Sequence, residues 1–388
     1  MGKKITSNMR VCSLHFSETD YFSTAIKLCE DNDQLCNSEN GEKNVDEFND
    51  LSISLDQVPI ATVSQKNKDT EPTKILKVDV GISVKSGDLV EHNFSNFIKT
   101  DKELSTATGI PSFKILNLLC KIVEKVAPIL RSYTGKLTIQ DRVILTFTKL
   151  KQNVSYAFLA LLFPSCSERH IPNVICNILD ILGNALKDAI IFPSKQEILK
   201  NIPSCFREYA NVCLILDCTE IEIQRPQNLC DQLLTYSFYK GRHTVKFLTG
   251  CSPGGLLTYV SPAYGGRASD KAIFEQSNII QTIGTGSSIM VDKGFNIDDI
   301  CFENGIRIVR PPFLRNKAQF SETEALDTRG IASARVHVER LNQRMKVFQI
   351  LGSKMPSCLV KKSEHIMTII AAVINLSAPI LKDDKFQK

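Results

Sequence analysis

The sequence predicts an α/β protein with a mixed sheet flanked by helices, preceded by a small all-α region and a disordered linker. Over residues 206–385, short apolar runs typical of strands alternate with helical segments. Residues 106–205 instead place their apolar residues at helical spacing. Residues 27–105 are polar and acidic, with few aromatic residues and no sustained period. The chain has 388 residues, 43% of them hydrophobic, which is enough to bury a full core.

Five apolar runs in the C-terminal half are predicted as strands. They cover residues 212–223, 243–250, 255–262, 287–292 and 306–310. The turn SPGG at 252–255 joins the second and third runs as a hairpin, and a helix predicted over 270–282 follows the third. An order of three strands, helix, strand, helix, strand and helix fits an RNase H-like sheet.

Three further segments are predicted as helices. Residues 110–130 open on Pro111 and place apolar side chains at helical spacing. Residues 332–351 show a mostly helical apolar period. Residues 363–381 are apolar on nearly every side, which predicts a buried core helix.

Three acidic residues stand where a site for divalent cations needs them. Asp217 falls where an apolar run passes into apolar/acidic alternation, and Asp292 ends a short apolar strand just before Gly294. Glu339 lies on the helix predicted over 332–351. Carboxylate oxygens suit Mg²⁺ or Mn²⁺. Two such ions about 4 Å apart would activate a water or a 3′-hydroxyl and stabilise the leaving oxygen of a phosphodiester.

Each acid taken alone has a simpler interpretation. An aspartate at a strand end is typical of a turn, and a glutamate in a basic helix commonly pairs with an arginine four residues away. Glu220 and Glu222 share the strand of Asp217, but alternation of side chains along a strand points both of them away from it. We therefore exclude Glu220 and Glu222 from the predicted site.

Several ordered motifs resemble one family. They are LILDCTEIEIQRP, the long segment that begins YSFYKGRHTVKF, IMVDKGF, RPPF and IASARVHVERLNQRMK. Over roughly residues 110–382 the chain resembles the DDE endonuclease domain of PIF/Harbinger-type transposases, most closely the subgroup with an N-terminal THAP zinc domain. The resemblance implies that Asp217, Asp292 and Glu339 are the catalytic ligands of two Mg²⁺ or Mn²⁺ ions. It also implies a nuclease that cuts or transfers DNA phosphodiester bonds.

The same resemblance implies a helix-turn-helix within residues 106–205. Ser167 would cap a recognition helix, with Arg169 and His170 facing the DNA groove. Pro172 departs from this pattern, because proline is tolerated only in the first turn of a helix. The alternative is that these helices serve only as a packing scaffold for the nuclease domain.

The first residues are similar to the C-terminal half of a THAP domain. Residues 1–26 carry Cys12 and His15, but a closed structural zinc site needs four ligands. Zn²⁺ is therefore expected only if a complete THAP domain exists upstream. We interpret 1–26 as a truncated remnant that does not hold zinc.

Charge is distributed unevenly along the chain. Residues 1–105 contain 12 Lys/Arg and 18 Asp/Glu, whereas residues 106–388 contain 35 and 24. A basic C-terminal part suits a DNA backbone. The candidate DNA contacts near the acids are Lys293, Arg335, Arg340, Arg344 and Lys346. A solvated helix face explains part of this set equally well. Asp270 matches a further acid of the family; we expect it to cap the helix that follows, and the alternative is that it supports the metal ligands.

Composition argues against a membrane or secreted protein. No run of about 18 apolar residues is present, and no secretory signal is expected. Thirteen cysteines without a CxxC pair are typical of reduced thiols. We expect a DNA-binding nuclease in the nucleus. The alternative is a domesticated or decayed transposase that binds DNA or a partner without cutting. The wider family also implies a separate DNA-binding partner protein.

Overall fold

The structure, a computed structural model, describes residues 93–128, 137–312, 319 and 321–377. All of these residues belong to one compact unit. The predicted zinc-module remnant, with Cys12 and His15, lies outside the described residues, as does the predicted linker up to residue 92.

Six α-helices precede the sheet in the described part of the chain. They are α1 (Asp101–Thr108), α2 (Phe113–Val126), α3 (Ile139–Gln152), α4 (Tyr156–Leu162), α5 (Ile171–Ala185) and α6 (Lys195–Lys200), with 3₁₀ helices at Phe94–Phe97, Lys187–Ala189 and Ser204–Tyr209. Except at α5, a serine or threonine side chain accepts a hydrogen bond from a backbone N–H of the first turn. This capping satisfies a donor that the helix itself leaves unpaired.

The helical region begins inside the range predicted as disordered linker. Asp141, buried near the start of α3, accepts hydrogen bonds from Ser95 Oγ and from Asn93 Nδ2, the latter at 3.3 Å. Helix α1 also packs on α3. The prediction of disorder is therefore wrong for residues 93–105, because a buried carboxylate and an apolar contact join them to the folded unit.

The predicted side-chain cap at Ser167 is also wrong, since helix α5 begins at Ile171. His170 precedes it in helical conformation without a side-chain cap, and Pro172 occupies the first turn, where its missing N–H is harmless. The Ser167 carbonyl oxygen accepts hydrogen bonds from the backbone of His170 (2.9 Å) and Ile171 (3.2 Å). Ser167 thus starts the turn through its backbone, and Arg169 and His170 are exposed in that turn.

A curled mixed sheet follows the helices. Its strands are β1 (Val212–Glu222), β2 (Tyr236–Ser237), β3 (Arg242–Cys251), β4 (Leu257–Val260), β5 (Tyr264–Gly265), β6 (Ser288–Met290) and β7 (Arg307–Val309). The order is β2-β3-β1-β6-β7, with β4 and β5 paired to β3. The β1/β6 and β6/β7 pairs are parallel, and the pairs of β3 are antiparallel. All five predicted strands are present, and the predicted fold class is confirmed.

Helices flank this sheet. They are α7 (Leu229–Thr235), α8 (Asp270–Gln276), α9 (Asp298–Glu303), α10 (Glu322–Lys346), α11 (Gln349–Gly352), α12 (Ser357–Val360) and α13 (Ser363–Asn375), with a 3₁₀ helix at Ile279–Gln281. Helix α10 begins before the predicted residue 332, at a capping box in which Ser321 and Glu324 bond each other's backbone. Its first turns are polar, so the apolar period could not reveal them.

Strand β1 divides the core into two parts. Val212 and Ile215 belong to the larger part, together with α2, α3, α5 and α13, whereas Leu214 and Leu216 belong to the smaller part with α8 and β6. Helix α13 is buried along most of its length, as predicted, and packs on α5. The helical region therefore supports the sheet. Within the described ranges, no helix is both long and apolar enough to span a membrane.

Candidate active site

The parallel pairing of β1 with β6 brings two of the predicted acids together. The last paired residues are Ile215 and Met290, so Asp217 and Asp292 each lie two residues beyond this pair. Neighbouring strands are about 4.8 Å apart, and these two run in the same direction. Because β6 ends at Met290, the pairing of β1 with β6 stops just before Asp217. The two aspartates therefore lie at one rim of the sheet.

The third acid comes from helix α10, whose faces have different roles. One stripe is buried in the core and consists of Ala334, Val338, Leu341 and Met345. The stripe beside it carries Arg335, Glu339, Asn342 and Lys346, spaced by three or four residues so that they share one side of the helix. Burial of the first stripe therefore fixes the second stripe toward the rim.

All three acids line one cleft of about 760 Å³ at this rim. Asp217, Asp292 and Glu339 are thus brought together although 122 residues separate the outer two in sequence. Asp217 is half-buried, whereas Asp292 and Glu339 are exposed. Among the described residues, no three His, Cys, Asp or Glu side chains are grouped closely enough to hold a metal ion as they stand. The three acids therefore border one cleft, and their assignment as metal ligands stays a prediction.

Two side chains of α10 donate hydrogen bonds to the carboxylates of Asp217 and Asp292. Asn342 Nδ2 donates to Asp217 Oδ2 at 2.5 Å, and Arg335 Nη1 donates to Asp292 Oδ1 at 2.8 Å. The Lys293 backbone N–H also donates to Asp292 Oδ1, at 2.7 Å. Asn342 Oδ1 and Arg335 Nε are both buried and have no hydrogen-bond partner within the described part of the chain. The two side chains that bind the aspartates therefore each keep one buried polar atom unpaired, an acceptor on Asn342 and a donor on Arg335.

Burial dominates the electrostatics of Asp217. It raises the pKa of the Asp217 carboxyl, while the nearby Arg335 guanidinium lowers that pKa and the negative charge of Asp292 raises it. Losing solvation disfavours the charged form of any carboxyl group. Asp217 is therefore a carboxylate that gains from an additional cation.

An ion-paired cluster borders the same cleft. Lys246 Nζ lies 3.2 Å from Asp270 Oδ1, 3.5 Å from Glu220 Oε1 and 3.0 Å from the Ala268 carbonyl oxygen. Glu220, which we excluded from the predicted metal ligands, borders this cleft as the partner of Lys246. Alternation does place Glu220 opposite Asp217 on β1, but the cleft is at the open rim, where side chains from both faces can border it. Glu222 is not among the lining residues, and it pairs with Arg242 at 2.6 Å.

Asp270 does not have the predicted capping role. The cap of α8 is Ser269, whose side chain accepts from the Ala272 backbone, and Asp270 is the first residue of the helix. Its carboxylate binds Lys246 and lines the cleft. Asp270 therefore supports the cleft as part of the Lys246 cluster.

The predicted DNA contacts have different environments. Lys346 is exposed and lines the cleft, and Arg340 is exposed on the same helix. Arg335 is directed inward to Asp292, and Lys293 is half-buried beside it. Burial lowers the pKa of Arg344, which is also half-buried. Lys346 is therefore the member of the set best placed to meet a phosphate near the acids.

Sequence reasoning missed Asn342, Lys246 and Tyr239, all of which line the cleft. Asn342 follows Glu339 by three residues, and this helical spacing could have identified it. Lys246 could have been found only with the β1/β3 register, which places it directly opposite Glu220. Tyr239 follows the two-residue strand β2, which is too short to be recognised from a period.

Comparison with known families agrees with this geometry. Residues 216–375 match the family described as DDE superfamily endonuclease, and residues 135–188 match the family described as the helix-turn-helix of DDE superfamily endonuclease. The first range contains Asp217, Asp292 and Glu339, and the second covers all of α3, α4 and α5. The resemblance inferred from the sequence motifs is confirmed at the level of this superfamily and its helix-turn-helix segment.

One curated relative is a "Probable transposase for insertion sequence element IS702" from Microchaete diplosiphon. It is 25% identical over 224 residues, which cover 56% of this chain and 74% of the relative. No solved structure gives a significant match to the chain.

Proposed function

We propose that this protein is a transposase-derived nuclease that cuts or transfers DNA phosphodiester bonds and depends on divalent metal ions. The observation that carries the proposal is the position of Asp217, Asp292 and Glu339. They come from β1, the end of β6 and α10 and border one cleft, inside the region that matches the DDE superfamily endonuclease. The helix-turn-helix match supports DNA as the partner.

The donor atoms fit Mg²⁺ or Mn²⁺ in their chemistry. The three acids offer only oxygen, which these hard cations prefer. The buried, unpaired carbonyl oxygen of Asn342 lies on the side chain that binds Asp217 and adds an oxygen acceptor to this set. A bound pair of such ions would supply a nucleophile at neutral pH and neutralise the leaving oxygen. Arg335 and Asn342 now supply the donors that these ions would replace.

The chain's own residues then have separate roles. Asp217 is held in place by the hydrogen bond from Asn342. Arg335 holds Asp292 in place from the helix that carries Glu339. Lys346 lies at the exposed end of the same helix stripe, where it would hold the phosphate backbone of the strand that enters the cleft.

The finer assignment also belongs to this proposal. We assign the chain to PIF/Harbinger-type transposases of the subgroup with an N-terminal THAP domain, on the strength of the motifs that surround the three acids and of Cys12 and His15. A nuclear location and a separate DNA-binding partner protein are what that family implies. Packing of α5 on α13 supports the scaffold role of the helix-turn-helix segment, while exposed Arg169 and His170 are available to DNA.

Replacing Glu339 by Gln tests the proposed site. The amide keeps the size of the side chain but removes a charge and an oxygen ligand, so we expect Mg²⁺- or Mn²⁺-dependent cleavage of plasmid DNA to fall by more than about 100-fold. Because Glu339 is exposed, stability should change by less than about 0.5 kcal/mol. The matched control is Glu322→Gln, an exposed acid in the first turn of the same helix. Equal cleavage by both variants would remove Glu339 from the site.

Lys346→Ala is expected to weaken DNA binding without regard to sequence. If Lys346 neutralises one phosphate, the slope of log affinity against log salt concentration should fall by about one unit. Fluorescence anisotropy with a labelled duplex at several salt concentrations measures this slope. Lys361→Ala, an exposed lysine that does not line the cleft, is the control. An unchanged slope for Lys346→Ala would contradict the assignment.

A further inference from the structure

Two neighbouring aromatic side chains stand almost fully in solvent beside the acid cleft. Phe238 is 78% exposed and Tyr239 is 85% exposed. A single exposed ring is ordinary on a protein surface, but a contiguous apolar patch marks a binding site. Helix α7, which leads directly into β2, also exposes Leu229, Leu233 and Leu234.

A tight turn holds these rings outward. Strand β2 pairs with β3 through Tyr236 and Ser237, and the chain then turns back at Gly241. Gly241 has a φ of 63° and donates its N–H to the Ser237 carbonyl oxygen at 2.9 Å. The Tyr236 ring packs edge-on against Phe238, with ring centres 5.4 Å apart. The fold therefore holds the backbone of this turn and the Phe238 ring in place.

The turn also borders the proposed catalytic cleft. Tyr239 and Lys240 line the same cleft as Asp217, Asp292 and Glu339. Lys240 Nζ lies 4.5 Å from the centre of the Tyr239 ring, so a cation and an aromatic face are presented together. Such a combination matches a nucleic-acid strand, whose bases stack on rings and whose phosphates pair with lysine.

We propose that Phe238 and Tyr239 form a stacking platform for an unpaired nucleobase of the DNA strand that occupies the acid cleft. The inference rests on the proposed function, since it takes DNA as the substrate of that cleft. Charge favours this occupant over a second copy of the chain. The patch is edged by Lys240, which lines the cleft together with the exposed Lys346, and a second copy would bring like charges to this edge.

The chain contains no tryptophan, so one indole can report on the platform. Tyr239→Trp keeps an aromatic ring at the site. In buffer with EDTA, which prevents cleavage, a saturating single-stranded oligonucleotide should quench its emission, because a base stacks on the indole. Phe302→Trp is the control, since Phe302 is 88% exposed and does not line the cleft. Its emission should not change.

Affinity gives the second readout. The double variant Phe238→Ala/Tyr239→Ala should bind the single strand about tenfold more weakly, as expected when base stacking is lost. Its affinity for a blunt duplex of the same sequence should stay within about twofold, because backbone contacts remain. Phe302→Ala should match the wild type on both. Because all three rings are exposed, the substitutions should leave the unfolding temperature unchanged.

Three outcomes would overturn the inference. The first is that the oligonucleotide does not quench the emission of Tyr239→Trp, and the second is that the double variant binds the single strand within about twofold of the wild type. The third is that the wild type is a dimer and the double variant a monomer. The last outcome would assign the patch to a second copy. Since these assays contain no metal, a chain that binds as expected but never cleaves would refute only the nuclease proposal. A chain that cleaves but fails these assays would refute only the platform.

Discussion

Asp292→Asn is expected to abolish metal-dependent DNA cleavage while leaving the fold and DNA binding nearly intact. The amide is isosteric but removes one charge from a proposed metal ligand. Changing a residue that only supports a ligand typically costs 10- to 100-fold in activity, so we expect the cleavage rate to fall by about 1,000-fold. The Asp292 side chain is 55% exposed, so losing its ion pair with Arg335 should cost less than about 1 kcal/mol of stability. DNA affinity depends on lysine and arginine contacts and should persist.

The comparison needs a matched aspartate. Asp299 is 85% exposed, lies on α9 and does not line the cleft, so Asp299→Asn should cleave like the wild type. Initial rates of plasmid nicking with Mg²⁺ and Mn²⁺, together with DNA affinity in EDTA, separate catalysis from binding. Cleavage by Asp292→Asn at the rate of Asp299→Asn would exclude Asp292 as a ligand.

Lys246→Ala is expected to cause the largest loss of stability. The Lys246 side chain is 11% exposed and the Glu220 side chain 8% exposed, so removing the lysine leaves a carboxylate buried without its partner. Breaking one side of a buried ion pair typically costs about 3–5 kcal/mol. Lys240→Ala, an exposed lysine of the same cleft, should change stability by less than about 0.5 kcal/mol. Urea denaturation monitored by circular dichroism measures both.

The pKa of Lys246 determines how the stability loss of Lys246→Ala depends on pH. Burial lowers the pKa of Lys246, but the charges of Asp270 and Glu220 outweigh burial and raise it above its ordinary value of 10.5. A raised lysine pKa stabilises the folded state fully below the ordinary value, and this stabilisation is lost as the pH rises through the folded-state pKa. The deficit of Lys246→Ala should therefore be constant from neutral pH to about pH 9 and shrink in strong alkali. Adding Glu220→Gln should recover part of it, and no recovery would mean that the pair is not the cause.

Much of the fold was predictable because its strands are apolar and its helices periodic. Strand β1 was predicted within one residue, since its apolar run leads into clear alternation. The sequence could predict that Asp217 and Asp292 lie near the ends of strands, because each follows an apolar run. Their position side by side at one rim depends on the register that pairs Ile215 with Met290, and neither strand sequence alone determines that register.

The errors have a common physical origin in contacts distant in sequence. Residues 93–105 are polar enough to suggest disorder, but the buried carboxylate of Asp141 orders the segment's start. The pairing of Glu220 with Lys246 beside the cleft likewise depends on the register between β1 and β3. The bonds of Asn342 to Asp217 and Arg335 to Asp292 depend on where α10 crosses the sheet, which its own sequence does not determine.

Plasmid cleavage as a function of Mn²⁺ concentration tests the central claim most directly, with wild-type protein and Asp217→Asn measured side by side. DNA carrying the terminal repeats of its own element should be included as a second substrate. We predict that the wild type cleaves, that EDTA stops the reaction and added Mn²⁺ restores it, and that Asp217→Asn binds DNA without cutting it. Absence of cleavage and strand transfer by the wild type on every substrate, or equal cleavage by Asp217→Asn, would contradict the account and indicate a protein that binds DNA without cutting it.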